Sequence, residues 1–204
     1  SGLDNLAALL HDSGQPEAAE SLYRESLVMT RRVLGPRHPG LASSLTSLAF
    51  MLLEEDRPAE AEVLLIEALD ILRSVGGSEP HPDTVDVVEG LAILREDEDN
   101  WVVAERYWAE AVALLRRSVA EDDPRLALTI IDHGRSLGRL GRWSEAEPPM
   151  RRAFEVLRAD PEMPPRMLAL LAVEMVEVYE ALGAAELAAQ MRELATGAVP
   201  SPER

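Results

Sequence analysis

Residues Leu6–Pro39 read LAALLHDSGQPEAAESLYRESLVMTRRVLGPRHP. The stretch pairs Leu with Ala, then sets a Gly, a Glu-Ala-Ala-Glu run, an aromatic, and a closing Gly and His-Pro. The same skeleton returns in register. Small residues stand at Ala7, Ala49, Ala92 and Gly134, and again twelve places later at Ala19, Ala61, Ala104 and Ala146. The steps are 42, 43 and 42 residues, and a period of that length is the signature of a solenoid.

Each period predicts two helices. In the first, Leu3, Leu6, Leu9 and Leu10 recur at helical spacing, Gly14 breaks the run, and Pro16 opens the next helix, where a missing N–H costs nothing. Gly35-Pro36 closes it, as glycine past a helix end does. Asp56 and Pro58 take the places of Gly14 and Pro16 in the second unit, which Gly76-Gly77 closes. The third turns on the acidic run Glu96–Asp99 and carries Arg95 where Leu10 and Leu52 stand earlier, so Arg95 either snorkels or reaches neighbouring acids. The fourth has Pro148-Pro149 early in its second helix, a pair expected to bend or delay it. The expectation is an all-α, right-handed α-solenoid of about five helix-turn-helix units, near 3–38, 39–81, 82–123, 124–161 and 164–196. These form one domain, 1–196, with a flexible tail at 197–204.

Composition narrows the functions. Cysteine is absent, which removes disulfides, thiolate metal sites and Cys nucleophiles. A net charge of −17 argues against nucleic acid, which is bound by cations on phosphates. No apolar run reaches the roughly 20 residues of a membrane span. The default location is the cytoplasm. All 20 basic residues are arginine, which fits either a codon bias or selection for two-pronged pairing with carboxylates.

In Leu6-Ala7, Gly14, Ala19-Glu20, Tyr23, Leu27, Leu34-Gly35 and His38-Pro39, with counterparts such as Leu48-Ala49, Ala61-Glu62, Ala104-Glu105, Gly141 and Ala146-Glu147, the chain resembles the tetratricopeptide repeat, in its 42-residue kinesin-light-chain variety. The resemblance implies a superhelix whose first helices line a concave groove. Carried over by position, the groove residues are Asp4, Asn5, Ala8 and His11; Thr46, Ser47, Phe50 and Leu53; Glu89, Gly90, Ile93 and Glu96; Ile131, Asp132, Arg135 and Arg139. Such units often carry a groove Asn for a peptide backbone, and here Asn5 keeps it while Ser47, Gly90 and Asp132 depart. The groove so drawn is apolar in unit two, acidic in unit three and basic in unit four. It points to a protein or peptide partner with basic and apolar residues.

No chemistry converges. His38 and His81 are equivalent residues before Pro and read as structural; His11 faces the groove alone. His133 fills a slot that holds Leu6, Leu48 and Leu91. It reads as a buried imidazole hydrogen-bonded to Asp132 or an Arg, or as a pH-sensitive contact. No metal, cofactor or catalytic set is expected. Trp101, Trp108, Trp143 and Tyr107 read as packing residues. The leading expectation is a non-enzymatic interaction scaffold. Its competitors are a regulatory arm of a larger signalling enzyme (kinase, NTPase or caspase-like protease) and self-association through the first unit or the apolar helix Met167–Leu182.

Overall fold

The computed structural model describes residues 2–76 and 79–197, so the second half of the expected Gly76-Gly77 stop and the tail from 198 onward lie outside the described residues. Ten α-helices are present among the described residues: α1 (Gly2–Asp12), α2 (Pro16–Val33), α3 (Pro39–Glu54), α4 (Pro58–Val75), α5 (Thr84–Asp97), α6 (Trp101–Leu115), α7 (Pro124–Arg139), α8 (Trp143–Ala159), α9 (Pro165–Ala181) and α10 (Ala185–Gly197). The chain divides into two compact units, Ser1–Asp99 and Asn100–Arg204, each holding five of them. Gly197, expected in the tail, closes α10.

In the first unit α1 packs on α2, α2 on α3, α3 on α4 and α4 on α5. In the second the same order runs α6 through α10. Helix ends follow from local chemistry. Gly14, Asp56, Gly141 and Gly183 adopt left-handed φ of 74°, 57°, 74° and 72°. The next N–H then reaches back across each turn: Gln15 to Leu10 O at 2.9 Å, Arg57 to Leu52 O at 2.9 Å, Arg142 to Leu137 O at 2.9 Å and Ala184 to Tyr179 O at 2.8 Å. This is the Schellman closure, which satisfies carbonyls the helix leaves open.

Helix starts are built as regularly. Pro stands at the start of α2, α3, α4, α7 and α9. The N–H of Gly40 donates to His38 Nδ1 at 3.0 Å, capping α3, and that of Asp83 donates to His81 Nδ1 at 3.3 Å. One repeat further on, Asp123 replaces His and accepts from the N–H of Arg125 at 2.8 Å. His38 is therefore the cap of α3, whereas α5 takes Asp83 as its N-cap and His81 braces the turn ahead of it. Two expectations fail here. The expected delay of α8 does not occur: the helix starts at Trp143 and runs through Pro148 and Pro149 to Ala159, forgoing the two bonds their missing N–H groups would make one turn back. Glu96 and Asp97, read as turn, are the last residues of α5.

The small residues do what the period requires. Ala7, Ala49, Ala92, Ala19, Ala61, Ala104 and Ala146 are fully buried, at 0% exposure, where helices meet closely. Gly134 replaces alanine because a Cβ there would stand 2.2 Å from Met150 Cγ.

Charge frames the seams between repeats. The Glu of the first and third Ala-Glu pairs reaches the next repeat's turn. Glu20 Oε2 lies 2.7 Å from Arg57 Nη1, and Glu105 Oε1 lies 3.3 Å from Arg142 Nη1. Each arginine also holds the acid three residues on, Glu60 at 2.8 Å and Glu145 at 2.8 Å. Asn100 stands at the third repeat's turn, and there Arg95 takes over by pairing with both Glu62 and Glu98. Arg95 thus reaches acids. The Arg57 hydrogen bonds hold the Glu20 carboxyl at about 2, against a smaller opposing push from burial.

Candidate functional site

In the first unit α1, α3 and α5 lie side by side and carry most of the expected binding residues. Polar contacts tie the row together. Ser44 Oγ donates to Asp4 Oδ2 at 2.8 Å, Ser43 Oγ donates to Asp83, and His11 Nδ1 sits 3.6 Å from Glu54 Oε2. Asn5 and Ala8 are exposed; Ser47, Phe50, Leu53, Glu89, Ile93 and Glu96 are half-buried. Gly90 is buried because the space for its side chain is taken. A Cβ there would meet Leu65 Cδ1 at 3.0 Å and Phe50 Cζ at 3.4 Å, so the Phe50 ring lies across α5. Thr46 is a correction: it is buried, and its hydroxyl turns back to Ala42 O at 2.8 Å, leaving nothing to offer a ligand.

The three helices of this row are rich in acids. α1, α3 and α5 carry Asp4, Asp12, Glu54, Asp86, Glu89, Glu96 and Asp97, while their one arginine, Arg95, is engaged by Glu62 and Glu98. Burial pushes the Tyr23 hydroxyl above its ordinary pKa, and the charges of Asp4, Asp12 and Glu54 push the same way.

The second unit departs from expectation at each basic or apolar position. Ile131 is buried, at 1% exposure, and belongs to the core. Arg135 Nη1 pairs with Asp132 at 2.9 Å and with Glu174 of α9 at 3.4 Å, so its charge is met by neighbouring acids. The guanidinium of Arg139 lies 5.5 Å from the Trp101 ring centroid, on the side of α7 that faces α6. Gly138 is the position in phase with His11 and Leu53, and the Trp143 ring covers it, 2.2 Å from where a Cβ would be.

The partner of His133 is Glu105 of α6, at 3.4 Å, rather than Asp132. Burial lowers the imidazole pKa, with Glu105 opposing and the charges of Arg142 and Arg116 adding. Among the described residues no group of three or more His, Cys, Asp or Glu side chains converges on a point that a metal could occupy. Nor is any helix among them long and apolar enough to cross a membrane.

The tetratricopeptide repeat profile matches residues 1–74 and 84–159. The chain belongs to the tetratricopeptide repeat family. Repeats of this family are generally protein-interaction scaffolds. Human tetratricopeptide repeat protein 19, mitochondrial, is 28% identical over 110 residues, 54% of this chain; the chain spans 28% of that relative's length. Among solved structures, BtubC (BKLC) from P. vanneervenii superimposes with a TM-score of 0.84 at 24% identity, covering 99% of this chain and 83% of that one. A Podosopora anserina protein described by its kinesin-light-chain, nearly identical TPR-like repeats gives 0.79 at 19% identity, covering 97% and 92%. These likenesses show the fold: an all-α solenoid of tetratricopeptide repeats.

Position in the repeat explains what sequence reasoning missed. Glu54 and Glu174 lie outside the positions carried over from the family, yet they pair with His11 and Arg135. Glu174 could not be found from the period, because it joins α7 to a less regular fifth repeat. The neighbourhood of His133 did leave a signal: Pro149 stands where Leu22 and Leu64 stand. The two surfaces expected for self-association carry exposed apolar side chains, Leu6, Leu9, Met29 and Val33 in one and Met167, Leu170 and Val173 in the other.

Proposed function

We propose that the chain is a non-enzymatic scaffold that holds a basic, partly apolar protein segment on the α1/α3/α5 row of its first unit. The observation that carries this reading is the make-up of that row: seven acids and one arginine on α1, α3 and α5, with a half-buried Phe50 on α3. Opposite charge steers a segment on and fixes its register. The Phe50 ring adds an apolar anchor with a face that attracts guanidinium or ammonium groups. The contact residues are Asp4, Asn5, Ala8, His11, Ser47, Phe50, Leu53, Glu89, Ile93 and Glu96. Thr46 is excluded by its burial.

The test uses two labelled peptides, one alternating Arg with Leu and one alternating Glu with Leu, followed by fluorescence anisotropy at low and high salt. The arginine peptide should bind and weaken with salt, and the glutamate peptide should not. Phe50→Ala with Leu53→Ala should weaken the arginine peptide at least about tenfold while helicity is kept. Equal binding of both peptides, or affinity untouched by the double variant, sinks the assignment.

A further inference from the structure

From the second repeat onward, each first helix lies against the second helix of the repeat before it: α2 packs on α3, α4 on α5, α6 on α7 and α8 on α9. α1 has no such neighbour among the described residues, and the places that neighbour would cover are open. Leu9 is 64% exposed, whereas Met51, Leu94, Ser136 and Val178, at the same place in the other four repeats, are at most 3% exposed. Leu6 is exposed where Leu48, Leu91 and Met175 are buried. A hollow of about 480 Å³ also opens between α1 and α2, with Leu3, Met29, Thr30 and Val33 on its walls. Leu45, Ile71 and Leu72, which match Leu3, Met29 and Thr30 in the second repeat, are buried.

The chain itself states what covers such a face. α2, α4, α8 and, with its capping residue, α6 each carry an apolar side chain four places before an arginine: Leu27 and Arg31, Leu69 and Arg73, Phe154 and Arg158, Val112 and Arg116. In the first of these, Leu27 and Arg31 line one hollow with Leu45 of α3, and Arg31 Nη2 lies 2.6 Å from Glu67 Oε1 of α4. Glu25 of α2 stands where Glu67 stands in α4. It is exposed and pairs with none of the described residues. The group that completes the face is thus an amphipathic helix with an apolar stripe and an arginine one turn further on. A second copy has no such helix to give. Its α2, α4, α6 and α8 are engaged in their own repeats, and at the two matching places after α8 the sequence has Thr196 and Pro200.

We propose that the α1–α2 face is a docking socket for an amphipathic helix supplied by a partner, its apolar stripe on Leu3, Leu6 and Leu9 and its arginine paired with Glu25. The socket uses the packing rule of the repeat as a recognition surface. It takes none of the residues assigned to the α1/α3/α5 row.

The probe is a lactam-stapled peptide with the sequence of residues 16–34, held helical so that the cost of ordering does not mask binding. Titrated into the whole chain by fluorescence anisotropy, it should bind saturably with a dissociation constant on the order of 100 μM. Leu6→Ser with Leu9→Ser alters only exposed side chains, so helicity should be kept while affinity falls at least about tenfold. Glu25→Arg should weaken the peptide by about threefold, and a peptide carrying Arg31→Glu should recover that loss. Phe50→Ala with Leu53→Ala should leave the affinity unchanged, which separates the socket from the row. Absence of saturable binding, affinity unmoved by the Leu6 and Leu9 changes, no recovery in the charge exchange, or a loss on changing Phe50 and Leu53 overturns the proposal. So does sedimentation in which the chain alone dimerises and Leu6→Ser with Leu9→Ser abolishes the dimer, since a second copy is then the occupant.

Discussion

The seam among α2, α3 and α4 and the seam among α6, α7 and α8 share one ionic frame and differ in what fills it. Glu20, Arg57 and Glu60 in the first match Glu105, Arg142 and Glu145 in the second, with the same arginine placed at the end of its turn. Inside the frame, Leu48 and Leu64 face the first seam's repeat positions, and His133 and Pro149 replace them in the second. Charge pairs on a surface tolerate imprecise distance, so they can be copied from repeat to repeat at little cost. Apolar filling depends on close contact and is therefore where repeats acquire individual character.

Exchange of the two fillers is the sharpest way to break the comparison. Leu48→His removes a fully buried side chain and places an imidazole in a site with no room for water. It should cost about 3 kcal/mol in urea or thermal unfolding. His133→Leu moves the second seam toward the first and should be neutral or stabilising by up to about 1 kcal/mol. Similar losses from both substitutions would show that the seams are equally specialised and that His133 is not a substitute for a packing leucine.

A smaller effect should appear against pH. Burial holds the folded-state pKa of His133 below its ordinary 6.5, with Arg142 and Arg116 reinforcing and Glu105 opposing. A depressed folded pKa means that the unfolded chain binds the proton more readily. The contribution is therefore present above about pH 6.5 and is lost as pH falls through the folded value. Wild type should lose stability between pH 7.5 and 5.5 more steeply than His133→Leu. Parallel profiles would remove His133 as the titrating group. Glu20, held at about 2 by Arg57, stays charged throughout that interval and does not confuse the reading.

Much of the scaffold was legible in the residues. Period 42, the small pairs and the His-Pro stops placed the helices, because each is a local rule of packing or capping that one repeat states in full. Arg95 was legible as a choice between snorkelling and pairing, and the structure selects pairing. The binding face was less so. Thr46 and Ile131 were expected in the groove by their place in the repeat, but one bonds its own helix and the other enters the core. Arg135 looked free in the sequence and is paired through Glu174, 39 residues away and on a different helix. A repeat predicts which residues share a position. It does not predict which partners from the next repeat will claim them.

The smallest predicted effect concerns the turns. Gly14, Gly141 and Gly183 take left-handed φ at no steric cost, whereas Asp56 holds φ of 57° with a side chain attached. The turn geometry is otherwise the same, since Arg57 N–H reaches Leu52 O at 2.9 Å as Arg142 N–H reaches Leu137 O at 2.9 Å. Asp is among the residues that tolerate this region best, so the strain it stores is modest. Asp56→Gly relieves that strain but adds freedom to the unfolded chain, and the net gain should be about 0.5 kcal/mol. Asp56→Ala keeps the Cβ and loses the polar group that makes the conformation tolerable, so it should fall below wild type. The expected order of melting temperature is Gly, then Asp, then Ala. Were alanine the most stable of the three, the Asp56 turn would owe its shape to something other than the rule that glycine obeys in its counterparts.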